Sequence, residues 1–355
     1  MNQTATWHIA GQANESLKRE RTKEGTMPAN ITVRNYRPED LRALVAMINE
    51  ADEYDQLERA TTLDGLEHEM NWPNYHPETD CFLAWKNGRL VAYADFLLRP
   101  GEENTPATFY TWGMVHPRWR RLGIGRHLME TLHRRAMERQ GELSNKPAYL
   151  QGSGRDIEED RKALFESLGM ERVRYFVNMA RPINNGLPPA EMPPGFRLRT
   201  FDPARDAETV WQVDTAAFRD HWGWTGFPFE EFQHWIHQPH FRPELWLIVE
   251  EEATGKAAGI CLNKVDPDWI AETGRQEGMI MTLGVLREYR RLGLGTALLA
   301  QSMRTLRQAG MDLAHLGADT ENLTGAVRIY ERLGFQVRKT TAVYRRALHN
   351  GTRAG

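Results

Sequence analysis

The chain has 355 residues, 41% of them hydrophobic and 26% charged, with a formal net charge of −3 and two cysteines. That near-neutral balance argues against a dedicated nucleic-acid binder, and Cys81 and Cys261, without a metal-ligand companion at short spacing, read as free thiols with no metal site. No apolar run approaches the ~20 residues needed to span a bilayer, the start lacks the apolar core of a signal peptide, and a cytoplasmic, two-domain protein is expected by default.

Residues 1–29 are polar and mix charges (Lys18, Arg19, Glu20, Arg21, Lys23, Glu24), which predicts a disordered tail. Met27, directly before Pro28, is a candidate natural start. A first domain is expected over 30–182: a strand from Ile31, helices, two or three strands, then Arg120-Arg121-Leu122-Gly123-Ile124-Gly125 between an apolar strand and an amphipathic helix. Residues 183–195 contain four prolines and two glycines, which neither a helix nor a central strand accommodates, and so form a linker.

The second domain, 196–349, shows the pattern in more detail. Strands are predicted at 196–200, 246–250, 258–264, 279–285, 313–316 and 336–344, with helices at 204–218, 230–237, 295–308 and 324–333. Residues 350–355 form a short tail. Strands alternating with helices imply an α/β or α+β fold in which a mixed, twisted sheet is flanked by helices.

The two halves repeat each other. Arg290-Arg291-Leu292-Gly293-Leu294-Gly295 matches the earlier glycine turn at an offset of 170, whereas residues 31–38 and 164–170 match 196–203 and 329–335 at 165. Three blocks in the same order define two related domains differing by compensating insertions. A basic, glycine-spaced turn that opens a helix is an anion cradle, because the first-turn N–H groups lack intrahelical partners and the helix dipole adds positive charge. Neither copy has the Lys-Ser/Thr of a P-loop or the third glycine of a dinucleotide fingerprint. A purely structural tight turn stays open for one copy, and an RNA-binding patch is the weaker alternative for the cluster Arg118, Arg120, Arg121 and Arg126, whose neighbouring aromatics are sparse.

Strand, Arg-x-x-Gly-x-Gly, helix, and later a Tyr-x-x-Leu-Gly-Phe helix end before the last strand resemble the GNAT superfamily of acyl-CoA-dependent N-acyltransferases, from about residue 30 to 348. The resemblance implies acetyl-CoA as cofactor. It carries cofactor contacts to Arg290, Arg291, Gly293, Leu294, Gly295, Thr296 and Asn322, with Leu283 and Val285 on the strand before the turn. In the first half it carries them to Arg120, Arg121, Gly123, Ile124, Gly125 and Arg126, with Val115 on the preceding strand.

The same resemblance makes Tyr330 the proton donor to the departing thiolate. A phenol near pKa 10 stays protonated at neutral pH and can still donate to a thiol near 8.5; the alternative is a core aromatic beside Leu333. The first half has Phe165 and Ile157 where the second has Tyr330 and Asn322, so the second half is expected to be catalytic and the first degenerate. No carboxylate lies on strand 279–285, and the general base stays open between Thr282, Asp319, Glu321 and a water-mediated route.

The segment 218–235, rich in aromatics, His and acids, is expected to hold the acceptor, with His221, Trp222, Trp224 and Glu231 at the groove mouth. A packed aromatic wall is the alternative. The expected partner is a small-molecule amine, not a nucleic acid or a membrane, for a monomer or a homodimer. The tandem layout is similar to that of the mycothiol synthases, which acetylate a cysteinyl amine. A non-catalytic acyl-CoA-binding module is the third reading.

Overall fold

The computed structural model describes residues 28, 30–56, 61–103, 105–143, 146–321 and 325–348. The expected N-terminal tail apart from Pro28, its candidate start Met27, Asn322 and the expected C-terminal tail lie outside them.

Twelve strands form one sheet: β1 (Ile31–Asn35), β2 (Cys81–Lys86), β3 (Arg89–Arg99), β4 (Ala107–Val115), β5 (Ala148–Arg155), β6 (Glu171–Pro182), β7 (Phe196–Thr200), β8 (Leu247–Glu251), β9 (Ala257–Val265), β10 (Glu277–Val285), β11 (Leu313–Asp319) and β12 (Gln336–Leu348). Helices pack on both faces: α1 (Leu41–Asp55), α2 (Leu63–Met70), α3 (Pro77–Asp80), α4 (Ile124–Gly141) and α5 (Glu159–Ser167) in the first half, and α6 (Pro203–Phe218), α7 (Phe229–Ile236), α8 (Pro267–Thr273), α9 (Leu294–Gln308) and α10 (Ala326–Arg332) in the second. Local chemistry explains their starts. Pro203 opens α6 behind Asp202, whose carboxylate accepts from the Ala204 N–H at 3.1 Å. α9 buries Leu294, Ala297, Leu298, Met303 and Leu306 at helical spacing, which holds it flat on the sheet.

The second-half elements fall within a few residues of their predicted ranges, with one addition. Asp266 caps α8 through the Trp269 N–H at 3.1 Å, and Gly274 ends it in the left-handed region. Two turns are too short to show an apolar period, which is why the pattern missed them.

The strand order is β1-β2-β3-β4-β5-β12-β6-β11-β10-β9-β8-β7. Each half therefore completes the other's sheet. β12, the last strand of the second half, pairs with β5 from Thr341↔Arg155 to Leu348↔Ala148, and β6, the last strand of the first, pairs with β11 from Leu313↔Pro182 to Asp319↔Phe176. Separating the halves would break both ladders and expose their backbone groups, so they stand or fall together. The Pro-rich connection is anchored as well: Ile183 is fully buried and its N–H donates to Asp312 at 2.7 Å, while Arg304 donates to the Pro188 carbonyl at 2.6 Å.

The exchange sets the site. β4 pairs with β5 in parallel only over Ala107–Tyr110, and β10 with β11 only over Glu277–Ile280. Beyond those residues the paired strands part, leaving one notch per half. In the second half the adjoining strand β6 brings first-half residues to that notch.

Candidate active site

The two glycine turns have nearly the same backbone. Arg121 and Arg291 both adopt positive φ (63° and 67°), as do Gly123 and Gly293 (77° and 88°). The Arg120 Nε donates to the Val115 carbonyl at 3.0 Å, and the Arg290 Nε to the Val285 carbonyl at 3.2 Å. Each turn thus ties itself to the end of the strand before it. The surroundings differ in five ways.

The first difference is charge. The second-half cavity, about 1360 Å³, is lined by five arginines (174, 287, 290, 291 and 332) against Asp220, Asp319 and Glu321. The first-half cavity, about 900 Å³, has four arginines (120, 121, 126 and 161) against Asp55, Glu158, Glu159 and Asp160. Asp55 takes Arg120 in a two-pronged pair, and Asp160 takes Arg121 at 2.7 Å. Arg290 instead donates to the Ala217 carbonyl at 3.1 Å, and Arg291 is exposed with no carboxylate partner among the described residues.

The second difference is a plug. Arg161 of α5 donates to the Gly113 carbonyl at 3.0 Å, occupying a backbone acceptor at the mouth of the first notch. The equivalent position on α10 is Ala326, too short to reach.

Third, room at the turn differs. A Cβ on Gly125 would meet the Leu164 Cδ2 at 3.2 Å, whereas one on Gly295 would meet only the Val285 Cγ2 at 3.9 Å. The fourth is the aromatic on the last helix. Phe165 is packed so tightly on β5 that a Cβ on Gly152 would lie 2.6 Å from its ring, and it is 3% exposed. A Cβ on Gly317, the matching glycine of β11, would meet nothing within 4 Å among the described residues, and Tyr330 lines the open space.

Tyr330 is also a buried aromatic, 8% exposed and edge-on to Phe335 at 6.3 Å, so the core alternative is true of its ring. Its hydroxyl has no hydrogen-bond partner among the described residues. Burial, with a smaller contribution from Cys261, raises its pKa to about 12. A proton therefore stays on Oη throughout the neutral range.

β10 carries a bulge that β4 lacks: its register against β9 shifts between Ile280 and Thr282, leaving Met281 as the extra residue, while β3 and β4 pair without a shift from Ala92↔Val115 to Arg99↔Thr108. A bulge re-aims the following backbone, here Thr282–Val285 beside the turn.

Of the residues expected from sequence, Leu283, Val285, Arg290, Arg291, Gly293, Leu294, Gly295, Thr296 and Tyr330 all line the larger cavity, joined by His221 and Trp222. Val115, Arg120, Arg121, Gly123, Gly125 and Arg126 line the smaller one. Ile124 does not; it is 1% exposed and belongs to the first half's core.

Two acceptor expectations are corrected. Glu231 is 1% exposed, bonds Arg99 and accepts from the Trp72 Nε1 at 2.8 Å, so it seals the junction between halves and lines neither notch. Trp224 lies outside the cavity wall, with its indole nitrogen buried and unbonded. The aromatic segment divides: Phe218, His221 and Trp222 face the cavity, while Phe232 and Trp235 pack on Trp246 at 5.9 and 5.1 Å. Glu231→Ala is expected to cost about 3–5 kcal/mol of stability, because Arg99 is left buried without its carboxylate. Thermal unfolding should show a lowered midpoint, with the acceptor KM unaltered; an unshifted midpoint would mean that Arg99 re-solvates freely.

Sequence reasoning missed Arg174 and Phe176, which reach the second-half cavity from β6. Arg174 donates from Nε and Nη2 to both oxygens of Asp319 (2.9 and 2.8 Å) and from Nη1 to Glu321 at 2.8 Å. Both carboxylates named as candidate bases are thereby occupied. His221 is different: burial, then nearby Arg290, lowers its pKa, and no acidic side chain bonds it among the described residues.

This architecture has known counterparts. The family model described as Acetyltransferase (GNAT) family matches residues 44–150 and again 207–335. The chain belongs to that family. A mycothiol acetyltransferase of Thermobispora bispora is 33% identical over 66% of this chain and 74% of its own length, and one of Thermobifida fusca is 27% identical over 89% and 97%. Among solved structures, a GCN5-related N-acetyltransferase from Sphaerobacter thermophilus superposes with a TM-score of 0.72 at 26% identity, covering 92% of this chain and 98% of that one. A tandem GNAT protein from the clavulanic acid biosynthesis pathway shares the fold at 16% identity and a TM-score of 0.65, over 90% and 99% of the two chains. As a GNAT acetyltransferase the chain uses acetyl-CoA as donor, and its two GNAT regions stand in tandem within the shared mixed sheet. Among the described residues no helix is long and apolar enough to cross a membrane.

Proposed function

We propose that the acceptor is a primary amine of a small molecule and that the second half alone does the chemistry. The contrast between the two cavities carries this reading: one has turn arginines without carboxylate partners among the described residues, an open cradle and a tyrosine, the other has carboxylate-paired turn arginines, a plug and a phenylalanine. Bound acetyl-CoA supplies the reactive thioester. Arg291 and the N–H groups that open α9 suit its pyrophosphate, and Leu283–Val285 of β10, paired with β9 but free along the edge that faces β11, offers backbone groups for its arm. Tyr330 Oη holds the proton that the sulfur requires as the thioester breaks.

His221 is the group best suited to take a proton from the acceptor amine. Its lowered pKa keeps the imidazole neutral to pH values below its ordinary 6.5, so the base form persists through the neutral range. In a thiol-release assay with acetyl-CoA across a panel of primary amines, activity should fall on acidification with a midpoint below 6.5. His221→Gln should remove that limb and slow turnover by about 10²–10⁴; the rise set by the amine's own titration remains in both proteins. A full acid limb in the variant would assign the base elsewhere. Absence of thiol release with every amine, acetyl-CoA still binding, would leave only an acyl-CoA-binding module.

A cysteinyl amine of the mycothiol type is the second reading, favoured by relatives called mycothiol acetyltransferases that match up to 89% of this chain. The same panel decides it if it includes cysteinyl amines.

A further inference from the structure

A third cavity, of about 590 Å³, adjoins the second-half one. Its wall includes His133, Tyr149, Glu171, Trp222, Arg345 and Arg346, and Trp222 lines both cavities. The tryptophan is thus a partition, with Arg174 on the transfer side (5.5 Å from its ring centroid) and Arg345 close against the ring at 4.1 Å. β12 carries Arg345 here only because it crosses into the first half's sheet, where it meets Tyr149 and Gln151 of β5.

Arg345 differs from Arg174, its neighbour across the indole, which holds Asp319 at hydrogen-bond distance. Arg345 donates to the neutral Oε1 of Gln151 at 2.6 Å and lies 5.3 Å from the Tyr149 ring centroid, with no carboxylate partner among the described residues. Burial lowers its pKa. Arg346 donates to the Leu168 carbonyl at 3.1 Å and likewise has no acid partner among the described residues, and the Nδ1 of His133 is buried without a hydrogen bond. Glu171 is the one acid on this wall, and it is exposed. A half-desolvated guanidinium is costly unless an anion compensates it, and among the described residues no carboxylate bonds this one.

We propose that this third cavity binds an anionic group of the acceptor, a carboxylate or a phosphate, through Arg345 with Arg346 and His133, while the acceptor's amine extends past Trp222 into the second-half cavity, where transfer takes place. The inference rests on the transfer reading and sharpens it: the acceptor is a zwitterion whose charged ends are held in two cavities separated by one indole. Guanidinium groups suit both anions, since their paired N–H donors match two oxygens.

Matched acceptors test this: glucosamine against glucosamine 6-phosphate, and β-alanine against its amide. Each is titrated by calorimetry into protein saturated with coenzyme A, so that the pyrophosphate cradle is filled and cannot capture the phosphate. Acetylation of each is measured in parallel. In at least one pair the anionic member should bind about 10- to 100-fold more tightly, the range for a charge-assisted contact, and the pair showing it tells phosphate from carboxylate. Arg345→Gln should erase that advantage and leave the neutral member unchanged, Arg345→Lys should retain part of it, and Arg346→Gln should reduce it.

Equal affinity within both pairs, or no binding of any member, overturns the inference with the native protein alone. So does an Arg345→Gln variant that weakens neutral and anionic members alike, which would make Arg345 a structural wall. An anion preference that depends on Arg345 without acetylation of any acceptor sustains the inference and sinks the transfer reading. Acetylation of neutral and anionic members with equal efficiency does the reverse.

Discussion

Gly295→Asp is expected to abolish acetylation while leaving the protein folded. A Cβ at this position meets only the Val285 Cγ2 at 3.9 Å, so the new side chain has room. An aspartate in the first turn of α9 also suits the helix dipole. The harm falls on the ligand, since a carboxylate in the cradle repels a pyrophosphate and occupies the space its oxygens need. Gly125→Asp should leave most of the activity, although its Cβ crowds the Leu164 Cδ2 at 3.2 Å and some local adjustment is expected. If the first-half cradle takes coenzyme A at all, calorimetric titration will show one equivalent fewer in that variant. Loss of turnover in the Gly125 variant alone, with both proteins folded, would make the first half the enzyme.

Tyr330→Phe should bind acetyl-CoA normally and lose turnover by about 10²–10⁴, the usual range for removing a general acid. The ring is retained, so its contact with Phe335 survives and any loss reports the missing Oη–H rather than a cavity. Single-turnover rates beside a calorimetric dissociation constant separate the two effects. An undiminished rate would show that the sulfur finds its proton elsewhere, and Tyr330 would revert to a core aromatic.

The repeat, the glycine turns, the order of strands and helices and the Tyr330/Phe165 contrast were all legible in the sequence, because each depends on residues close together in the chain or on alignment of one half with the other. A helix N-terminus with glycines is a local object, and its anion-binding character follows from its own unpaired N–H groups. The tertiary structure decided what those local objects face. The crossing of β6 and β12 joins residues far apart in sequence, so it delivered Arg174 to Asp319, occupied both candidate bases and set Arg345 against Trp222. Whether a turn's arginines are free or neutralised likewise depends on Asp55 and Asp160, which reach it from other elements. Glu231 was misread for the same reason: it lies among candidate acceptor residues on the chain, but its helix turns it toward Arg99 and Trp72 of the other half. Periodicity says which face of an element is apolar. Which charged groups meet across the sheet is fixed by strand order, and no local pattern carries it.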